Sequence, residues 1–250
     1  MDRAGLAHDA LPAPGEGAGE VDRVRPSCVV KRLGVVDYAP ALEAMRMFTA
    51  AREAGTADEI WLLQHPPVFT LGQAGKAEHL LQNPAGIPLV HIDRGGQITY
   101  HGPGQLVVYL LIDLPRRALK VRELVLLMEQ AIIDTLADYG IAGERKDGAP
   151  GVYVAGDKIA ALGLRVRKGC SYHGLALNVD ADLTPFGWIN PCGYPGLRTV
   201  RMHDFGVDDG VEAVGERLLA HLLALLPPLV TGGGGERPPS RAVEAVPPGS

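Results

Sequence analysis

Apolar positions recur at helical spacing in three stretches of this chain and in alternation or short runs through most of the rest. Residues 39–54 place Leu42, Met45 and Phe48 on one face, with Pro40 in the first turn and Gly55 as the stop. Residues 121–139 carry Leu124, Leu127, Met128, Ala131, Ile132, Thr135 and Leu136 on one stripe and end at Gly140. Residues 211–226 do the same with Val214, Leu218, His221, Leu222 and Leu225, closed by Pro227 and Pro228. Strands are predicted over 59–64, 67–71, 88–92, 96–100, 105–112, 151–155, 158–167 and 171–179. The last two meet at Lys168-Gly169 and read as a hairpin, so the sheet is not purely parallel. The pattern predicts an α/β or α+β body with a mixed, largely antiparallel sheet flanked by helices. Residues 1–26 and 232–250 are rich in Ala, Gly, Pro and small or acidic residues and cannot build a core. Both ends are expected to be disordered, leaving a single folded domain over 27–231.

Composition narrows the class. With 250 residues, 46% hydrophobic and 21% charged, the chain matches an ordinary globular protein. The longest apolar run, Leu106 to Leu114, contains Asp113 and is too short to span a bilayer, and residues 1–26 lack the apolar centre of a signal peptide. Cys28, Cys170 and Cys192 have no regular spacing, which argues against a disulfide framework and for a reducing, cytoplasmic compartment. The net charge of −5 is uneven: residues 1–22 hold −4 of it, while basic residues cluster at Arg116, Arg117, Lys120 and Arg122, at Arg165, Arg167 and Lys168, and at Arg198 and Arg201. These clusters read either as solvated faces or as a docking surface for an acidic protein. Without a strong basic excess or a known motif, nucleic-acid binding is disfavoured.

Several chemistries are excluded by what is missing. Gly75-Lys76 lacks the preceding glycine and following Ser or Thr of a phosphate-binding loop; no GxGxxG follows a strand; neither HExxH nor GxSxG occurs. The histidines and cysteines show no metal-ligand spacing, and no metal is expected. What remains is a cysteine in a turn. In Ile189-Asn190-Pro191-Cys192-Gly193-Tyr194-Pro195-Gly196 the prolines and glycines bend the chain and can present a thiol. Cys28, at a strand start, and Cys170, in a hairpin, suit passive packing. A nucleophilic Cys192 needs a cation nearby, because an ordinary thiol of pKa near 8.5 is mostly protonated at neutral pH. Lys158, heading the apolar run Ile159-Ala160-Ala161-Leu162-Gly163, is the best candidate, although a snorkelling edge lysine is the competing reading. Four glycines within Arg94–Gln105 suggest that a ligand passes close to the backbone. There His101 could donate to an oxyanion, orient the lysine, or be structural; His173 carries the same alternatives.

Taken together, four stretches resemble the lipoyl(octanoyl) transferase family: HPPVFTLGQAGKAEHLL (65–81), RGGQITYHGPGQLVVYLLIDL (94–114), GAPGVYVAGDKIAALGLRVRKGCSYHGLALNVDADLTPF (148–186) and INPCGYPGL (189–197). The resemblance implies a fold similar to lipoate–protein ligases and the catalytic domain of biotin–protein ligases. It implies that Cys192 forms an acyl-thioester and that Lys158 lowers its pKa and serves as acid and base. Substrate contacts would fall on Arg94, Gly95, Gly96, Gln97, Ile98, Thr99, Tyr100 and His101, on Ala161, Leu162 and Gly163, and on Gly174, Leu175 and Ala176. The implied reaction moves octanoyl from acyl-carrier protein to a specific lysine of lipoyl domains, those of 2-oxoacid dehydrogenase complexes and the glycine cleavage H protein. No cofactor is implied beyond the phosphopantetheine of the carrier, and no ATP; a monomer away from membranes is expected. An ATP-dependent lipoate–protein ligase, which would not need Cys192, is the alternative. A silent lipoyl- or carrier-binding protein is a third reading.

Overall fold

The computed structural model describes residues 28–190 and 197–230. Cys192 and both terminal segments assigned above to disorder therefore lie outside the described residues. The framework is a six-stranded sheet in the order β1-β2-β6-β9-β8-β7, formed by β1 (Cys28–Val35), β2 (Asp58–Gln64), β6 (Gln105–Leu111), β7 (Val152–Val154), β8 (Asp157–Arg167) and β9 (Cys170–Asn178). Only β1 and β2 run parallel; the other neighbours are antiparallel. A smaller sheet, β4-β3-β5, is made by β3 (Val68–Leu71), β4 (Leu89–His91) and β5 (Ile98–His101). The strand pattern is that expected, with β1 added.

Strand alternation builds the core on both faces of the large sheet. Ile60, Leu62, Leu106, Val108 and Leu110 face α2 (Val121–Asp138) and α3 (Val211–Leu225), while Trp61, Leu63, Val107, Tyr109 and Leu111 face α1 (Tyr38–Ala51). Each such side chain taken from water contributes roughly 1.5–3 kcal/mol. α2 opens with the Glu123 carboxylate accepting the Lys120 backbone N–H at 2.7 Å, and Gly140 follows its end at φ 73°. α1 stops before the expected Gly55, because Arg52 leaves helical geometry and turns inward. Its guanidinium donates to the Leu111 carbonyl at 2.7 Å and pairs with the fully buried Asp58. Arg116 and Arg117 converge on the same carboxylate, and Arg117 also reaches the Pro227 carbonyl. One basic cluster assigned above to a possible docking surface is thus partly an internal tie. The β8–β9 hairpin turns at Lys168 and Gly169, both with positive φ, which matches the right-handed strand twist.

Candidate active site

Between the large sheet and β5 lies a cleft that opens to solvent. Its floor is nearly free of side chains. Ala161 pairs with Ala176 and Gly163 with Gly174 across β8 and β9, and Val107 and Tyr109 continue these two rungs onto β6. A methyl group on Gly174 would sit 2.1 Å from the Val108 carbonyl oxygen, and one on Gly163 would meet Arg94 and the Gly95 carbonyl. The glycines therefore let strand and loop close around the space. The wall opposite is the 94–101 segment. Only its last part, β5, is strand; residues 94–97 fold back instead, accepting backbone bonds from Gly72, Gln73 and Ala74. The Arg94 guanidinium, itself lining the cleft, locks that loop by donating to the Thr70 carbonyl and hydroxyl at 2.9 Å each and to the Gly95 carbonyl at 2.9 Å.

Of the residues expected to contact substrate, Arg94, Gly96, Gln97, Ile98, Thr99, His101, Ala161, Leu162, Gly163, Gly174, Leu175 and Ala176 line this cleft. Two do not. The Tyr100 ring turns to the other side of β5, packing against Phe69 and Phe186 in the core of the small sheet. Gly95 donates its N–H to the Leu164 carbonyl and faces a second, broader groove. That groove runs past Leu164 to Val121 and Val125 of α2, and it shares Gly96, Gln97, Lys158, Leu162 and Gly163 with the first cleft. Exposed Lys120, Arg122, Arg165, Arg167 and Lys168 adjoin its α2 and β8 walls in the chain.

Lys158 is where the two spaces meet. It is 4% exposed, not a snorkelling edge residue. Its ammonium donates to the Pro150 carbonyl at 3.2 Å and lies 5.3 Å from the centre of the Tyr153 ring, a cation–π contact. Gly151 has no Cβ, which would stand 2.6 Å from the Lys158 Cε. Its N–H is held at 3.0 Å by buried Glu129 of α2. The Lys158 backbone donates to the Arg198 carbonyl and accepts from Val200, so residues just after 191–196 are fastened beside it. Before that segment, Asn190 donates to the His79 carbonyl. Of the other cysteines, burial pushes the Cys28 thiol up to about 11, and Cys170 is buried.

Four rings of the cleft lining, Tyr38, His101, Tyr109 and His173, join His65 and Asp93 behind them in one group, in which Tyr38, His65, Tyr109 and Asp93 carry no local sequence signal. His65 Nδ1–H donates to the Val36 carbonyl at 2.6 Å, which leaves Nε2 to accept the Tyr109 hydroxyl at 2.7 Å. His101 bonds Gln105 at 2.7 Å, and Gln105 in turn donates to Asn178; its recorded hydrogen bonds go there and to Thr70, not to Lys158. Burial lowers the histidines to about 4 (His65), about 3 (His101) and about 4 (His173). Burial also lifts Tyr38 to about 12 and Tyr109 well above its ordinary value. Burial would raise Asp93, but donation from Tyr172 and His173 and the nearby Arg46 outweigh it and hold the carboxyl at about 2. All three histidines are therefore neutral near pH 7. Among the described residues no group of three His, Cys, Asp or Glu side chains is placed to hold a metal ion, and no helix is long and apolar enough to cross a membrane.

The fold and the cleft together define a class. The family model of the lipoyl protein ligase A/B catalytic domain matches residues 37–223. Two solved structures share the fold: a bi-partite lipoate protein ligase from Thermoplasma acidophilum (TM-score 0.63, 18% identity, 79% of this chain and 84% of that one) and the biotin protein ligase of Aquifex aeolicus with biotin and ATP (TM-score 0.52, 15% identity, 79% and 70%). Closer in sequence are the octanoyltransferase of Azoarcus sp. strain BH72, 79% identical over 200 residues (80% of this chain, 88% of the relative), and that of Aromatoleum aromaticum, 71% identical over 215 (86% and 91%). The chain belongs to the octanoyltransferases of the lipoyl protein ligase A/B family, and it is an acyltransferase.

Proposed function

We propose that the protein takes octanoyl from the phosphopantetheine thioester of acyl-carrier protein and delivers it to a lysine of lipoyl domains, with Cys192 as the covalent relay and Lys158 as acid and base. The observation that carries this reading is the buried Lys158 side chain at the junction of two spaces, one narrow and largely apolar, the other wide. The narrow cleft suits an acyl chain; the wide groove suits the arm that brings it. Arg198 and Val200, which bond the Lys158 backbone, follow Cys192 by six and eight residues in the chain. In the first step the Cys192 thiolate attacks the thioester carbonyl, the C–S bond to pantetheine breaks, and Lys158 gives its proton to the departing sulfur. Neutral Lys158 then takes a proton from the acceptor ammonium, whose ordinary pKa near 10.4 keeps it unreactive. The freed amine attacks the Cys192 thioester, expelling the thiolate and releasing one proton to solvent. The energy of the incoming thioester suffices, so ATP and other cofactors are not required, and the setting is cytoplasmic.

The test is intact mass. Mixed with octanoyl-acyl-carrier protein alone, the enzyme should gain one octanoyl mass, lose it to neutral hydroxylamine, and pass it to an added lipoyl domain. Cys192→Ser should abolish turnover while Cys28→Ser and Cys170→Ser retain it, and Lys158→Arg should fail because guanidinium cannot surrender a proton. A wild type that stays unmodified and labels the acceptor only with ATP would establish the ligase reading instead.

A further inference from the structure

We infer that the ring wall at the far end of the first cleft, and Tyr38 in particular, sets the length of the acyl chain that the site accepts. This rests on the reading of the cleft as the acyl site. Lys158 stands five residues before Gly163 on β8, a separation of roughly 16 Å at the rise of an extended strand. An extended eight-carbon chain built from bonds near 1.5 Å is roughly 9 Å long. The track between these two residues is thus longer than the chain it would hold. Between the two ends, Ala161, Gly163, Gly174 and Ala176 offer a bare track.

The stop at the end of that track is built from rings whose polar atoms are already engaged. Tyr38 stacks on His101 at 5.9 Å and 15° and stands 4.9 Å from His65, while Tyr109 packs between His65 and His173. With the Tyr109 hydroxyl donated to His65, the wall presents neutral ring surface to whatever reaches it, which suits a terminal methyl. Tyr38 is the adjustable member. It is the first residue of α1, whereas Tyr109 is paired with both Trp61 and Gly174 inside the sheet. Tyr38 can therefore change size without breaking a ladder.

The experiment measures kcat/KM for carrier protein loaded with hexanoyl, octanoyl, decanoyl or dodecanoyl, using wild type, Tyr38→Phe, Tyr38→Leu and Tyr38→Ala. A methylene forced against a closed pocket end is discriminated roughly ten-fold or more. The wild type should fall by that factor from octanoyl to decanoyl. Tyr38→Phe, of equal ring size, should keep the octanoyl optimum whatever its absolute rate. Tyr38→Ala should raise the decanoyl-to-octanoyl ratio at least ten-fold; if it does not fold, Tyr38→Leu should shift the ratio in the same direction. A ratio unchanged in an actively transferring variant would overturn the assignment of Tyr38 and leave the acyl site standing. A wild type that transfers from none of the thioesters would overturn both.

Discussion

His65, His101 and His173 show how burial sets the working charge of a residue. They are kept neutral by burial, against the pull of a hydrogen-bonded carbonyl or carboxylate for His65 and His173. The histidines carry a consequence for stability. Their folded pKa values lie below the usual 6.5, so the unfolded chain binds protons first as pH falls. Above about pH 6.5 they contribute no pH dependence; from there down to about 4, and about 3 for His101, stability should drop by on the order of a few kcal/mol for the cluster. Asp93 acts below that window, its stabilisation being lost only as pH falls from its ordinary range through about 2. Urea unfolding at pH 7, 5.5 and 4.5 should show the decline, and His65→Asn should flatten it while lowering stability at pH 7. Lys158 and the 94–101 stretch stood out because a lone amine and clustered glycines break an apolar pattern, whereas 161–163 and 174–176 followed only from the family resemblance. Tyr38, His65 and Tyr109 were not, because their bonds join positions such as 65 and 109 and no local pattern marks them.

At the scale of elements, the β8–β9 hairpin and β6 supply the floor, and the spacing between them depends on the absence of a side chain. Gly174→Ala puts a methyl 2.1 Å from a backbone oxygen of the central strand, which neither rotamer change nor side-chain motion relieves. Thermal or urea unfolding should show a loss of roughly 3 kcal/mol or more. Gly163→Ala, whose methyl meets the Arg94 side chain at 3.0 Å and the Gly95 carbonyl oxygen at 3.3 Å, should cost less stability than Gly174→Ala and chiefly impair turnover. Helices and strands were readable to within a few residues from period alone. The boundaries that moved did so for tertiary reasons: α1 ends early to aim Arg52 at Asp58, and the strand predicted to start at 96 starts at 98 because residues 94–97 bond to residues 72–74. β1, foreseen only as a strand start at Cys28 and given no extent, is half-buried at the sheet edge, where the apolar signal is weak.

Across the whole molecule, burial separates the basic residues into two populations that a charge count merges. Arg52 and Arg117 are interior partners of Asp58, with Arg116 partly exposed beside them, whereas Arg165 and Arg167 are exposed on β8, where Arg165 reaches the Gln73 side chain. Reversing both of these to Glu should raise KM for the acyl-carrier substrate several-fold at low salt, less at high salt, and spare kcat; a KM indifferent to both changes would mark them as a solvated face. The meeting of both spaces at a single buried amine has one more consequence, visible in steady-state rates. Donor and acceptor cannot occupy the same proton-transfer position together, so the first product must leave before the second substrate is served. Double-reciprocal plots at several fixed acceptor concentrations should then form parallel lines, and each substrate in excess should inhibit competitively against the other.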